Sequence, residues 1–178
     1  MILYILSNIM EFNLYNRKFK LIDYNLFSFH KRGKNQIETW HQIKLTLRKK
    51  DGYKHFKIQI EGKRKTLLFH RVVYYANNPE WNFYNNSMEN YIDHIDATDF
   101  PKNHPKNNNI ENLRIVTNQE NCFNQRAKGC CFDKARGKHR AIICLNYKTI
   151  HIGYYDTEEI AHQAYLEKKK ELHVIRNR

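Results

Sequence analysis

Two short motifs supply the residue types that phosphodiester hydrolysis requires. Asp93 and His94 are adjacent in "YIDHID", and Asn121 follows in "NQENCF". The reaction needs a base that activates water, a cation that stabilises the developing charge, and a scaffold that fixes both. Asp93 and Asn121 offer hard oxygen ligands for a divalent cation, and His94 is a candidate base. A neutral imidazole suits this task, because its unperturbed pKa of about 6.5 is close to neutral pH.

A β-hairpin followed by a helix is predicted to position these residues. "YIDHID" and "LRIVT" have strand patterns, "ATDFPKNHPKNNNIEN" is a long loop between them, and "NQENCFNQRAK" is a helix. Because strand side chains alternate, His94 is directed away from the face that carries Asp93. Asn112 ends the loop, where its side chain would bond nearby backbone and hold the loop closed. His104, within the loop, is better interpreted as solvent-exposed than as a catalytic helper.

The first 81 residues contain predicted strands and one helix. Strand patterns in "FKLIDYNLFSF", "WHQIKLTLRKK" and "HFKIQIEGKRKTLLF" indicate a small basic antiparallel sheet, with hairpins at Asp51-Gly52 and Glu61-Gly62. This sheet is either a scaffold or a DNA-contacting surface. A helix in "LFHRVVYYANNPEW" should stop at Pro79, and His70, which opens it, is expected to pack or cap. The apolar "MILYILSNIM" is too short to span a bilayer, and it is a strand or a start-site extension beginning at Met1, with Met10 as the alternative start.

The composition indicates a polyanionic partner. The chain has 31 Lys and Arg against 18 Asp and Glu, a formal charge of +13. Such a field attracts nucleic acid, although a basic protein whose lysines only provide solubility is the alternative. Aromatic residues make up 13% of the chain, which argues against a disordered basic tail. The four cysteines lack the CxxC spacing of a zinc site, so free thiols in a reducing, cytoplasmic compartment are expected rather than secretion.

The motifs "HRVVYYANNPEW", "YIDHIDATDF" and "NNNIENLRIVTNQEN" resemble those of HNH endonucleases, particularly the branch common in phage homing enzymes. The resemblance covers about residues 68–127 and implies a ββα-metal core. It assigns the motif histidine to His94, the acidic ligand to Asp93, the central asparagine to Asn112 and the last motif position to Asn121. Many members carry histidine at that last position. The asparagine here matches the phage H-N-N variant, whose oxygen-only ligands favour Mg²⁺ or Mn²⁺ over Zn²⁺.

A second unit is predicted from Gly129 onward. "KHRAIICLN" and "KTIHIGYY" are alternating strands that turn at Asn146-Tyr147, and "DTEEIAHQAYLEKKKELH" is an amphipathic helix that Thr157 should cap. An apolar stripe on this helix should cover one face of the sheet; it comprises Ile160, Ala161, Ala164 and Tyr165.

This unit resembles the apetala or ethylene-response-factor DNA-binding domain over about residues 129–173. In that family a three-stranded sheet lies in the major groove and a helix backs it. One departure is His139, which stands where the family has tryptophan. Strand alternation places Ala141 and Ile143 toward the helix. The residues expected to contact DNA are Lys134, Arg136, Lys138, Arg140, Ile142, Thr149 and His151, with Arg114 in the nuclease core.

The sequence therefore predicts an α+β protein with a strand-rich basic region at 1–66, an HNH core at 67–128 and a sheet-plus-helix DNA reader at 129–178. The predicted activity is metal-dependent cleavage of double-stranded DNA by a homing-type enzyme. One such site per chain cuts one strand, so a monomer nicks and a DNA-bound homodimer could break both strands. The alternatives are a restriction or defence nuclease, or a DNA-binding regulator that retains a relic nuclease core.

Overall fold

The computed structural model describes residues 9–96, 108–124 and 127–175. Within these ranges the fold is α+β, as predicted, with mostly antiparallel strands and three helices. Met1 and His104 lie outside the described residues. The chain divides into two compact units, one of Met1–Asn86 with Ile92–Arg114 and one of Ser87–Tyr91 with Ile115–Arg178. The predicted boundaries at 66/67 and 128/129 remain predictions.

The first unit opens with a four-stranded antiparallel meander. Its strands are β1 Ile9–Leu14, β2 Arg17–Ile22, β3 Asn25–Arg32 and β4 Ile37–Gln42. The turns at Tyr15-Asn16 and Asp23-Tyr24 place both central residues at positive φ, which is the geometry that matches the twist of a tight hairpin. One face of the sheet is buried, with Leu14, Phe19 and Leu21 each 1% exposed.

A three-stranded antiparallel sheet follows, made of β5 Thr46–Leu47, β6 Lys54–Ile60 and β7 Lys63–Leu68. The predicted hairpins at Asp51-Gly52 and Glu61-Gly62 are confirmed, and both glycines have positive φ. The prediction of one small sheet in this region is wrong, because the strands form two sheets, and "WHQIKLTLRKK" contributes to β4 of the first and β5 of the second. Helix α1, Phe69–Asn77, ends before Pro79 as expected and buries Val72 and Val73 completely.

The elements around the candidate chemistry have the predicted order of strand, strand and helix. Strands β8, Tyr91–His94, and β9, Leu113–Val116, form a two-stranded sheet, and a 3-10 turn at Ile110–Asn112 leads into β9. Helix α2, Asn118–Phe123, is shorter than the predicted eleven-residue helix. A capping box fixes its start, because Thr117 accepts from the Glu120 N–H and Glu120 accepts from the Thr117 N–H.

The second unit contains the predicted three-stranded sheet and helix. Its elements are β10 Cys130–Asp133, β11 Lys138–Leu145, β12 Lys148–Tyr155 and α3 Glu158–Leu172. Thr157 caps α3 as expected, and Ala161 and Tyr165 are buried, but Ile160 is 52% exposed and does not belong to the apolar stripe. Gly129, at φ +66°, lies so close to the Tyr165 ring that a Cβ would overlap it.

Candidate functional site

Two aromatic rings of the first unit, those of Tyr53 and His70, contact the predicted base. The His94 ring stacks on Tyr53 with centroids 5.6 Å apart and an interplanar angle of 15°. His70, from α1, meets the His94 ring edge-on at 5.1 Å and the Tyr53 ring at 4.9 Å. His94 is 4% exposed and His70 is 5% exposed. His70 therefore packs as expected, and its packing partner is the candidate catalytic histidine.

The hairpin loop between β5 and β6 places Tyr53 in this cluster. Arg48 donates to the Asp51 carboxylate through Nε at 2.9 Å and through Nη2, and the Tyr53 N–H donates to the same carboxylate at 3.2 Å. Gly52, at φ +72°, donates to the Arg48 carbonyl at 2.7 Å. Glycine adopts this conformation without a steric penalty. The loop is thus held by its own hydrogen bonds in the form that directs Tyr53 onto His94.

Burial determines the protonation of the rings around His94. The pKa of His70 lies well below its ordinary value, first because the ring is buried and then because His94, Arg71 and Arg48 disfavour a further positive charge there. The pKa of Tyr53 is raised, first by burial and then by the nearby Asp93 and Asp51 carboxylates. Both side chains are consequently neutral at neutral pH. His94 is therefore packed between two uncharged rings.

Asn108 orients the candidate base. Its Oδ1 lies 3.1 Å from His94 Nε2, in a buried contact, and Asn108 is itself 3% exposed. Because an amide oxygen only accepts hydrogen bonds, Nε2 is the donor in this contact. The side-chain amide thereby fixes the direction of the His94 ring.

The predicted acidic ligand is held by an arginine. Arg114 of β9 donates to Asp93 Oδ2 from Nε at 3.2 Å and from Nη2 at 3.0 Å. The two side chains are 18% and 8% exposed, respectively, so solvent screens this ion pair only weakly. Arg114 was predicted to contact DNA, and in this structure its guanidinium contacts the carboxylate next to His94. Asp93 and His94 have different partners, as expected for neighbours that point to opposite faces of a strand.

Asn112 forms the backbone contacts predicted for the end of the loop. Its Oδ1 accepts from the Asp96 N–H at 2.8 Å, and its Nδ2 donates to the Asp96 carbonyl at 3.2 Å. The Asn112 carbonyl also accepts from the Ile95 N–H at 2.9 Å. These bonds tie the residues that follow β8 to those that precede β9. Asn112 therefore clamps both ends of the intervening segment, next to His94.

The remaining predicted ligand, Asn121, is half-buried on α2 in the second unit, where its N–H donates to the Thr117 carbonyl at 2.9 Å. Among the described residues, no group of three or more His, Cys, Asp and Glu side chains could hold a metal ion. The donor types nevertheless fit Mg²⁺, which takes one or two protein carboxylates and completes its octahedron with water and phosphate oxygens. They do not fit a zinc cage, which needs three or four protein ligands.

The C-terminal sheet presents the predicted reading residues on one face. Cross-strand register pairs Arg140 with Tyr154 and Ile142 with His151, so these four side chains share a face. Ala141 and Ile143, on the opposite face, are 0% and 2% exposed, as predicted for the helix side. Lys138 and Thr149 lie on the same face, and Lys134 and Arg136 lie between β10 and β11; all four side chains are exposed.

Two charged groups on this face are already in contact with neighbours. The Arg136 guanidinium lies 4.8 Å from the centroid of the Tyr154 ring and pairs with Asp133 at 3.2 Å. Lys138 pairs with Asp156 at 3.2 Å, with side chains 49% and 82% exposed. Exposed pairs of this kind are weak and exchange readily for phosphate. The face therefore combines an aromatic platform with cations that remain available to a polyanion.

The sequence alone did not identify Tyr53 or Asn108. Tyr53 follows the turn signal Asp51-Gly52, but nothing local shows that the turn directs its ring toward residue 94. Asn108 belongs to the run "NNN", whose three members have the same side chain. Only the fold shows which of them reaches His94.

Comparison with known proteins does not name a family for this chain. No protein-family model, no curated protein and no solved structure matches it. Across residues 9–96, 108–124 and 127–175, no helix combines the length and apolar character needed to cross a membrane.

Proposed function

We propose that this chain is a metal-dependent HNH-type endonuclease that hydrolyses phosphodiester bonds in double-stranded DNA. The observation that carries the proposal is the adjacent burial of Asp93 and His94, which are 7% and 4% exposed. Burying a carboxylate and an imidazole costs free energy that apolar residues would not cost. In strand β8 each of these two side chains has its own hydrogen-bonding partner. A strand with a purely structural role would need neither the carboxylate nor the imidazole.

In this proposal His94 is the general base. Its Nδ1 accepts a proton from water, and the resulting hydroxide attacks phosphorus in line as the 3′ oxygen leaves. Asn108 and the rings of Tyr53 and His70 hold the imidazole in place while it accepts the proton. Because His94 is only 4% exposed, neighbouring side chains must move to admit the DNA strand. Catalytic contacts often form fully only when substrate binds.

A divalent cation completes the proposed site. Asp93 and Asn121 would hold Mg²⁺ or Mn²⁺, which when bound supplies Lewis-acid stabilisation of the developing charge and of the leaving oxygen. The ββα-metal arrangement of β8, β9 and α2 is part of the same proposal. It is supported by the order of these elements and by the pairing of the two strands. Asn112 holds together the end of β8 and the start of β9, and it contacts no reacting atom.

The C-terminal sheet is the proposed DNA reader. The face that carries Arg140, Ile142, Thr149 and His151 would enter the major groove, and Lys134, Arg136 and Lys138 would contact phosphates or guanine edges. A homing-type role in a phage or other mobile element is the leading biological context, with restriction or defence as the alternative. A monomer would nick, and cleavage of both strands would require a DNA-bound homodimer or two visits.

A plasmid-nicking assay tests the proposal. Purified protein should convert supercoiled plasmid to the nicked form with Mg²⁺ and not with EDTA. His94→Ala should slow nicking by about 100- to 10,000-fold, the usual contribution of a general base, while DNA affinity stays nearly unchanged. His162→Ala, purified in parallel, changes a histidine of α3 and should cut like the wild type. Near-normal nicking by His94→Ala, or nicking in EDTA, would exclude this mechanism.

A DNA-binding regulator with a relic nuclease core is the second candidate, and the C-terminal face favours it. Arg140, Tyr154 and His151 would read DNA whether or not His94 is functional. Site-selective binding with no cleavage in Mg²⁺ or Mn²⁺ would support the regulator. The paired burial of Asp93 and His94 favours the nuclease, because burying these polar groups costs free energy and gives a regulator no benefit.

A further inference from the structure

The meander β1–β4 has a second face that the proposed nuclease does not use. Residues Phe19, Leu21 and Leu26 project to the buried face of the sheet. Strand alternation and register direct another set of side chains to the opposite face. We call this set the aromatic–lysine face; it comprises Lys18, Lys20, Phe27, Phe29 and Trp40.

Aromatic rings and ammonium groups alternate on the aromatic–lysine face. Phe29 and Trp40 are cross-strand partners with ring centroids 5.3 Å apart. Lys20 Nζ lies 4.4 Å from the Trp40 centroid, and Lys18 Nζ lies 5.6 Å from Trp40 and 5.9 Å from Phe29. Both lysines extend over the rings on flexible stems, so their ammonium groups can be released without disturbing the backbone. The rings are half-buried.

The charge balance of this region favours a polyanion. Residues 1–66 carry fifteen Lys and Arg against five Asp and Glu. On the face itself Lys18 pairs with Glu11, and Lys31 pairs with Glu38, but all four side chains are 44–61% exposed, so both pairs are weak. Within the described residues, Lys20 forms no ion pair, and its ammonium lies over Trp40.

We propose that the aromatic–lysine face binds single-stranded DNA. Unpaired bases stack on flat aromatic side chains, while lysines beside the rings contact the phosphates. A duplex hides the faces of its bases, so it could use the lysines but not the rings. A protein partner is a poorer fit, because lysine is depleted from the buried centre of protein interfaces. The choice of DNA over RNA rests on the proposed nuclease function, since nicking a duplex releases a strand end.

Stacking requires Lys18 and Lys20 to move from the rings to the phosphates. Lys20 exchanges a contact with a ring for a contact with a full negative charge, which is favourable. Lys18 exchanges a weak, exposed pair with Glu11 for a phosphate. The face spans three adjacent strands, β2 to β4, about 4.8 Å apart, which gives room for two or three nucleotides. Because the interaction involves base faces rather than base edges, it should show little sequence preference.

Trp40 can report the interaction directly. The chain has two tryptophans, and Trp81 is 7% exposed in a cluster with Tyr74 and Phe83. In a Trp81→Phe background, Trp40 is therefore the only tryptophan. Titration with a 12-nucleotide oligothymidylate in EDTA should quench its emission and raise the anisotropy of a labelled oligonucleotide with the same midpoint. EDTA prevents cleavage, so this result does not depend on whether the proposed nuclease is active.

Three variants separate stacking from packing. Trp40→Leu in the full chain should weaken oligonucleotide binding by about 5- to 150-fold, the usual loss when a stacking ring is removed. Trp40→Phe keeps a ring and should recover most of the affinity. Ile9→Ala removes an apolar side chain that is 56% exposed on the edge strand β1 and carries no ring, so it should bind like the wild type. Equal affinities for Trp40→Leu and wild type would overturn the proposal.

Three further measurements keep the proposal testable if Trp40→Leu does not fold. Lys20→Gln should weaken binding and reduce the slope of log affinity against log salt by about 0.7, the value for one phosphate contact on a single strand. An unchanged slope would contradict the proposal. Tighter binding of oligouridylate would overturn the choice of DNA, and an equal loss of duplex and oligothymidylate binding in Lys20→Gln would identify the face as a duplex-binding surface instead.

Discussion

The His70 and His94 rings meet edge-on in the first unit, with their centroids 5.1 Å apart and their planes at 67°. One ring comes from the start of α1 and the other from the end of β8. Burial lowers the pKa of His70 well below its ordinary value, so this ring stays neutral where an exposed histidine would begin to take up protons. The His94 ring therefore has an uncharged neighbour, which would not repel the proton that a general base accepts.

This neutrality predicts a pH dependence of stability. Below about pH 6.5 the unfolded chain protonates residue 70 while the folded chain does not, so unfolding takes up a proton and stability falls as the pH falls. The contribution of one such histidine is at most about 1.4 kcal/mol per pH unit. His70→Phe keeps a ring without a titrating group and should remove that part of the slope. Urea unfolding between pH 7.5 and 5 measures it, and identical slopes in His70→Phe and wild type would contradict the assignment.

The ion pair between Arg114 and Asp93 predicts a loss of stability when the arginine is neutralised. Arg114→Met retains much of the aliphatic volume but leaves the buried Asp93 carboxylate without this cation. Removing one partner of a buried pair costs about 3 kcal/mol. Asp93→Asn in the same chain should restore most of the stability while replacing the proposed carboxylate ligand with a neutral amide.

Arg136 provides the matched control for this ion pair. It also pairs with an aspartate, Asp133, but its side chain is 59% exposed. Arg136→Met should therefore leave the urea midpoint nearly unchanged. If Arg114→Met is as stable as Arg136→Met, the Asp93 carboxylate does not depend on Arg114, and the electrostatic account of the site is wrong.

The sequence predicts the local parts of this fold better than its contacts. The hairpins at Asp51-Gly52 and Glu61-Gly62 are recognisable because glycine marks positive φ, whereas the turn at Tyr15-Asn16 has the same geometry without glycine. Asp93 and His94 stand out as neighbours in a motif. Their contact partners cannot be recognised in the sequence. Tyr53 and His94, for example, are far apart along the chain, and only tertiary folding brings them together.

The proposed role of Asn121 as a metal ligand predicts that Mg²⁺-dependent nicking varies with the side chain at residue 121. Asn121→Asp retains an oxygen ligand and should keep part of the Mg²⁺-dependent nicking, with a changed Mg²⁺ requirement. Asn121→Ala lacks the ligand and should lose most of the activity at every Mg²⁺ concentration. Plasmid nicking over a Mg²⁺ titration measures both variants. Equal activity in the two would show that Asn121 is not a ligand, and melting curves would confirm that each variant is folded.

Separating the proposed reader from the proposed nuclease requires point substitutions rather than truncation. Phe123 of α2 is 8% exposed and stacks on His173 with centroids 4.0 Å apart, and both line a cavity of about 320 Å³ with Ile143 and Tyr165. A chain ending at Lys128 would lose these partners. A six-residue helix is not stable by itself in water, so this truncation should disable the α2 segment along with the reader.

Substitution of Arg140 is a cleaner test of whether the C-terminal sheet recognises a DNA sequence. It lies between Cys131 and Tyr154 in the cross-strand register, and its Nη2 donates to Cys131 Sγ at 3.9 Å. Arg140→Ala in the full chain should relax sequence choice by about 1 to 3 kcal/mol if the arginine reads a base edge. Lys134→Ala, the comparison variant, should weaken all duplexes alike and reduce the salt slope by about 0.9, the value for one phosphate contact. Competition binding with the preferred site and with random duplex, at three salt concentrations, separates the two effects. If Arg140→Ala selects the same site as strongly as the wild type does, this face of the C-terminal sheet is not the reader.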